Sequence, residues 1–231
     1  MFAATLGEAI GSVLPAAVAV AISPIPIIGV IVMLGTPRAR TNGPAFAAAW
    51  ILGLAAASTV VLLMTRGAGA DDPSSGAWTG ASLVQLGLGV LLLVLALRQW
   101  RGRPTGDGPP QMPGWMTGVD HFGAARSFAT GAMLSAANPK NLILTVSAAT
   151  TIGQARLSGL DDVVAIAVFV AIGSTTVVGA VLFSLIGGTR SADALASLKS
   201  FMATNNAVIM TVLFLVLGAK VLGEGIAGLS A

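Results

Sequence analysis

The residues with the most capacity for chemistry lie in one short stretch, SAANPKNLIL, at positions 135–144. Lys140 stands there between Asn138 and Asn141, directly after Pro139, and the residues around the motif are mostly apolar. The ammonium group donates hydrogen bonds, and each amide both donates and accepts. Proline lacks an N–H and therefore frees backbone carbonyl groups within a helix. The combination predicts a polar site inside an apolar helix.

The composition places this site in a membrane. Hydrophobic residues make up 55% of the 231 positions and charged residues 9%, against about a quarter charged in soluble domains. The mean hydropathy is +0.89. The basic residues are dispersed rather than clustered, which argues against a nucleic-acid partner. The chain has no cysteine, which excludes disulfides, thiol redox chemistry and a cysteine-ligated metal.

Apolar runs of about 20 residues, long enough to cross a bilayer, predict an all-α polytopic membrane protein. Six such spans are expected, at residues 10–34, 44–64, 81–100, 127–151, 162–187 and 203–223. Asp161 and Asp162 are assigned to an outer loop and Glu224 to the end of the chain, so no acidic residue is expected within the core of a span. Asn205 and Asn206 are expected to mark the start of the last helix, and Trp50 to anchor a helix at the membrane interface.

The loops predict an orientation through their basic residues. Eight lie on one predicted side, namely Arg38, Arg40, Arg98, Arg101, Arg103, Arg126, Arg190 and Lys199, and three on the other, namely Arg66, Arg156 and Lys220. This asymmetry predicts a plasma-membrane protein with both termini outside. The longest connection, at residues 101–126, is rich in Pro, Gly and charged residues, which predicts a flexible cytoplasmic linker between residues 1–100 and residues 127–231.

The two parts resemble each other. Pro24 in ISPIPII matches Pro139 in ANPKNLI, Thr59 matches Thr176, and VLLLVLALR in the third span matches VLFLVLGAK in the sixth. Because each part has three spans, the second copy enters the membrane upside down. The sequence therefore predicts two inverted three-helix repeats, a plan common among secondary transporters.

Lys140 is expected about a dozen residues, or roughly 18 Å, from either end of its span, which is too far for its side chain to reach the interface. It either holds an anionic substrate group or donates to the carbonyls that Pro24 and Pro26 free. The hydroxyl groups of the second and fifth spans either line the cavity that holds the substrate or bond to the backbone of their own helices. The predicted substrate-binding residues are Ser23, Pro24, Pro26, Ser58, Thr59, Asn138, Pro139, Lys140, Asn141, Thr175 and Thr176.

Other chemistry has little support. His121 is the single histidine and is expected in a loop, no acid is expected in a span core, and no GxxxxGK[ST] motif occurs. We therefore expect no catalytic residues, no cofactor and no resident metal, and no enzymatic activity. Gly87 and Gly89 are expected to allow close helix packing.

The stretch GWMTGVDHFGAARSFATGAMLSAANPKNLIL, together with ISPIPII and six spans, resembles the GAP-like proteins of the LysE exporter superfamily. These are also called Sap, or peptidoglycolipid- and sulfolipid-addressing, proteins. The resemblance covers essentially the whole chain, and Asp120 matches an acidic residue upstream of the family's NPKN motif. It implies a LysE-like fold, an actinobacterial source and the export of envelope glycolipids. Seven of the substrate-binding residues above carry the motif: Ser23, Pro24, Pro26, Asn138, Pro139, Lys140 and Asn141.

The leading interpretation is thus a transporter, or a transport accessory, for cell-envelope glycolipids. Its expected partners are membrane lipids, an anionic glycolipid, the envelope-lipid export machinery and a second copy in a homo-oligomer. One alternative is an exporter of amino acids or other small solutes, and another is a scaffold for lipid-synthesis enzymes. A lateral opening toward the bilayer favours lipid, a closed central cavity favours a small solute, and a scaffold needs no cavity.

Overall fold

The computed structural model describes residues 4–67, 76–103, 118–119 and 121–229, and within these it contains helices but no strand. The linker residues 104–117 and Asp120 lie outside the described residues. The helices are α1 (Leu6–Ala21), α2 (Pro24–Leu34), α3 (Ala39–Gly67), α4 (Gly76–Arg101), α5 (Ala124–Ala132), a π-helical segment (Met133–Ala137), α6 (Pro139–Gln154), α7 (Gly159–Ile186) and α8 (Gly188–Leu229). The expectation of an all-helical chain is confirmed.

Four of the described helices are long and apolar enough to cross a membrane: α3, α4 from Ser82, α7, and α8 from Arg190. The pair α1 and α2, bent by 47° at the break between them, meets the same test when taken as one span, which raises the number to five. The remaining predicted span corresponds to α5, the π-helical segment and α6, none of which has more than 16 residues. The structure thus supports four to five spans.

Local sequence explains where the first helix begins and ends. Thr5 and Glu8 form a capping box at the start of α1, in which each side chain bonds to the other residue's backbone N–H. At the other end Ser23 has an extended backbone (φ −68°, ψ 114°), and α2 begins at Pro24. Proline suits the first helical position because its missing N–H would have no partner there.

The second break has nearly the same geometry. Asn138 has φ −67° and ψ 122°, its side-chain oxygen accepts a hydrogen bond from the Lys140 N–H at 3.1 Å, and α6 begins at Pro139. A residue that precedes proline is driven out of the helical region by contact with the proline ring. The matched prolines therefore do interrupt two helices in the same way.

The last helix is longer than the sequence predicted. It begins at Gly188, where φ is +57°, and continues through Asn205 and Asn206, so these residues do not mark its start. The first turns of α8 are polar, so the prediction from apolar length did not include them. In the packed structure α4 lies along α8, α3 along α5, and α1 along α7.

Trp50 lies in the hydrophobic core. Its side chain is fully buried and stacks with Phe46, and its indole N–H donates to the carbonyl oxygen of Gly173 at 3.3 Å. The expectation that it anchors α3 at the membrane interface is wrong. A buried indole needs a hydrogen-bond acceptor, and the α7 backbone supplies it.

Candidate functional site

The two helix breaks meet in the interior of the bundle, and Lys140 joins them. Lys140 is 6% exposed. Its Nζ donates to the carbonyl oxygen of Ala19 at 2.9 Å and to the hydroxyl of Ser23. The break removes the bond that the Ser23 N–H would make to Ala19 in a continuous helix, since that N–H bonds to Val20 instead. The ammonium of Lys140 takes its place.

Neighbouring polar groups complete this cluster. Ser23 donates to the side-chain oxygen of Asn141 at 3.3 Å, and the Asn141 amide donates to the carbonyl oxygen of Leu134 at 2.8 Å. The hydroxyl of Thr176 on α7 donates to Ala21, another carbonyl at the first break. The carbonyl groups of Ala19, Ala21 and Leu134, which lie near the two breaks, are thus bonded by side chains, as a low-dielectric interior requires.

Lys140 therefore has the contact that its structural interpretation requires, a carbonyl freed by the break before Pro24. No acidic side chain forms an ion pair with it among the described residues. That it also holds an anionic substrate group stays a prediction. Lys140 lines neither of the two cavities described below.

The larger cavity is a groove between α3 and α7, with a volume of about 1050 Å³. We call it the α3–α7 groove. Its walls are mainly apolar, and Leu63 and Val163 on them are 63% and 64% exposed, so the groove opens sideways along the bundle surface. Its lining on α7 runs from Gly159 to Leu182, about 35 Å at 1.5 Å per residue. That matches or exceeds the hydrocarbon thickness of a bilayer, about 30 Å.

The hydroxyl residues predicted for the site divide between these two places. Thr59 and Thr175 line the α3–α7 groove, together with Ser174. Thr176 belongs to the cluster at the helix breaks. Ser58 is buried and donates to its own helix at Leu54, at 2.8 Å, and it lines neither cavity.

One end of the groove carries an ion pair that the sequence reasoning missed. Arg66, near the end of α3, lies 2.6 Å from Asp162 in the first turn of α7. Asp162 is therefore in a helix rather than in an outer loop, and its side chain is 5% exposed. A signal was available: opposite charges stand at the ends of the second and fifth predicted spans, on the same predicted side of the membrane.

A second, smaller cavity of about 320 Å³ has several polar residues in its lining. It is lined by Ser12, Gln85, Thr151, Gln154 and Glu224, and by Ala227 and Gly228. Gln85 donates to Gln154 at 3.2 Å, and Glu224 pairs with Lys220 within α8. α8 thus continues beyond residue 223, where the last predicted span ends, and includes Glu224. Within the described ranges no group of three or more His, Asp or Glu side chains has the arrangement of a metal site.

Fold and cavities together define a helical membrane protein with a surface groove suited to an elongated apolar molecule. The family model described as Sap, sulfolipid-1-addressing protein, matches residues 13–227. The chain therefore belongs to the Sap, sulfolipid-1-addressing protein family. No curated protein and no solved structure matches the chain.

Proposed function

We propose that this protein is a transporter, or a transport accessory, that delivers envelope glycolipids to the cell surface, and that the lipid binds in the α3–α7 groove. The observation that carries the proposal is the shape of that groove, which is long, apolar and open at its side. The acyl chains of a lipid can enter it from the bilayer without leaving an apolar environment. An exporter of amino acids or other small solutes is expected to have a closed central cavity instead.

The family supports the same substrate class, since its description names a sulfolipid. A sulfolipid is anionic, so an anionic glycolipid is the substrate we propose. The protein performs no chemistry on the lipid in this proposal. We further propose that the chain has a LysE-like plan of six spans in two inverted repeats. In this plan α5, the π-helical segment and α6 together form the fourth span. The similar dihedral angles at Ser23 and Asn138 support the repeat.

The proposed orientation puts both termini outside the plasma membrane. The ion pair of Arg66 and Asp162 then lies at the outer end of the groove. A lipid bound with its headgroup at this end is already oriented for the outer leaflet. Its apolar chains extend along α7 toward the cytoplasmic side.

Blocking the groove tests the proposal. Ala171 is an exposed groove-lining residue on α7, whereas Val164 is 43% exposed on the same helix and does not line the groove. We expect Ala171→Trp to fill the groove and Val164→Trp to leave it open. Each variant is purified from the native membrane, and its retained lipids are identified by native mass spectrometry.

The wild type and Val164→Trp should retain a glycolipid that Ala171→Trp lacks. Surface glycolipid should fall with Ala171→Trp alone when the three forms complement a strain without the gene at equal abundance. Equal retention and equal surface delivery by Ala171→Trp would overturn the proposal. A bound phospholipid in place of a glycolipid in the wild type would contradict the proposed substrate class.

A further inference from the structure

The polar end of the α3–α7 groove is built from two charged side chains that hold each other in place. Nη2 of Arg66 lies 2.6 Å from Oδ2 of Asp162 and also donates to the carbonyl oxygen of Leu157 at 2.9 Å. Both charged residues line the groove. Arg66 is 31% exposed and Asp162 is 5% exposed, so the pair is reached from the groove mouth but is mostly shielded.

Each partner keeps one polar atom unbonded. Nε of Arg66 and Oδ1 of Asp162 are buried and have no hydrogen-bond partner in the described part of the chain. A buried polar atom without a partner destabilises the protein, and does so more strongly when it belongs to a charged group. Such atoms are uncommon in native proteins, and a ligand that bonds to them removes the cost.

The two atoms require different hydrogen-bonding groups on a ligand. The Nε–H of arginine only donates, and a carboxylate oxygen only accepts. A complementary headgroup must therefore offer both an acceptor oxygen and a hydroxyl donor. A bare phosphate or sulfate at full charge offers acceptors alone, and it meets repulsion from Asp162. Neighbouring hydroxyls of a sugar ring supply both.

The rest of the groove indicates which kind of molecule carries the sugar. Beyond the ion pair the walls are apolar apart from Thr59, Ser174 and Thr175. The site as a whole therefore fits an amphiphile with one polar end. We propose that Arg66 and Asp162 form a sugar-binding headgroup site, which selects glycosylated lipids over phospholipids of the same chain length. This inference rests on the proposed function, because it requires a lipid in the groove.

The test compares two probes with identical acyl chains, monoglucosyl diacylglycerol and phosphatidic acid. The affinity of each for the purified protein is measured in detergent by tryptophan fluorescence or by native mass spectrometry. We expect the wild type to bind the glucolipid at least about tenfold more tightly. A hydrogen bond to a charged group contributes about 1.5–3 kcal/mol, so Asp162→Asn should lose about tenfold or more of the glucolipid affinity without weakening phosphatidic acid binding.

A double variant with apolar residues, Arg66→Met with Asp162→Leu, separates recognition from folding. Replacing a buried ion pair with apolar side chains of similar volume is often neutral or stabilising. We expect the variant to elute as a folded protein in size-exclusion chromatography and to bind the glucolipid no more tightly than phosphatidic acid. A wild type that binds both probes equally, or a double variant with unchanged preference for the glucolipid, would overturn the inference.

Ala171→Trp distinguishes this failure from a failure of the proposed function. If the groove holds the lipid, Ala171→Trp weakens the binding of both probes, whatever their headgroups. Loss of both probes together with equal headgroup affinities in the wild type would refute the sugar site and keep the groove. Unchanged binding of both probes to Ala171→Trp would refute the groove and with it the sugar site.

Discussion

Lys140 Nζ lies 2.9 Å from the carbonyl oxygen of Ala19, and this contact joins residues 121 positions apart in the sequence. It fastens the start of α6 to the end of α1, the two places where prolines interrupt helices. The ammonium replaces a backbone donor that the first break removes. A cation in the middle of the bundle is thus part of the architecture of the breaks.

This contact predicts the effect of Lys140→Met on stability. From the sequence alone, removal of an unpaired intramembrane cation is expected to leave stability unchanged or to improve it. The observed hydrogen bonds reverse that expectation, because Ala19 and Ser23 lose their charged donor. We expect a loss of about 1.5–3 kcal/mol, measured as a lower melting temperature in detergent.

Lys220→Met is the matched control, since Lys220 pairs with Glu224 on a partly exposed part of α8. Exposed pairs contribute about 0–1 kcal/mol, so its effect should be smaller. A second measurement concerns transport: if Lys140 also holds an anionic substrate group, surface glycolipid falls in Lys140→Met at equal abundance, and Lys140→Arg restores part of it. Wild-type delivery by Lys140→Met would leave Lys140 with a purely structural role.

Thr176→Val tests the other bond at the first break. Valine keeps the shape of threonine but lacks the hydroxyl that donates to Ala21. The carbonyl of Ala21 then loses its donor, and we expect the variant to be less stable by about 1–3 kcal/mol.

Thr175→Val, one position away, provides the comparison. Its hydroxyl donates within α7, to Ile172, and its side chain is exposed. Its removal should change the melting temperature far less than Thr176→Val does. Equal melting temperatures for the two variants would show that the bond between α7 and the break contributes nothing measurable.

Glycine positions on α4 give a third prediction. A Cβ at Gly89 would lie 2.6 Å from the backbone nitrogen of Leu222 on α8, whereas a Cβ at Gly87 would have no neighbour within 4 Å. Close helix packing is thus the role of Gly89, and the same expectation for Gly87 is wrong. Gly89→Ala should push α4 and α8 apart and cost about 1–3 kcal/mol.

Gly87→Ala should cost nothing, because alanine favours the helix by about 1 kcal/mol over glycine and meets open space. The two variants are compared by thermal unfolding in the same detergent. A melting temperature of Gly89→Ala equal to that of Gly87→Ala would mean that the two helices can separate without cost.

The features that could be predicted from the sequence are those set by residues close together in the chain, whereas features that depend on distant residues could not be predicted in detail. Apolar length located helical segments throughout, and Pro24 and Pro139 located both breaks, because these are local effects. The partner of Lys140 was predicted only as a class, the freed carbonyls, since the contact with Ala19 depends on how distant helices pack. Asp162 and Trp50 were misplaced because rules for charged and aromatic residues near span ends ignore tertiary burial. The shape of the α3–α7 groove depends on packing, and the sequence indicated it only through the hydroxyl and charged residues of the second and fifth predicted spans.

The orientation of the protein in the membrane is predicted from its basic residues, eight of which lie on one predicted side and three on the other. The chain lacks cysteine, so single cysteines can be introduced without a background. We expect Gly106→Cys in the linker to be cytoplasmic and Ser74→Cys, between the second and third predicted spans, to be outside. In intact cells a membrane-impermeant maleimide should label Ser74→Cys and leave Gly106→Cys unlabelled. Both should react after permeabilisation, which controls for accessibility. Labelling of Gly106→Cys in intact cells, with protection of Ser74→Cys, would show that the predicted orientation is wrong. The Arg66–Asp162 end of the groove would then lie on the cytoplasmic side.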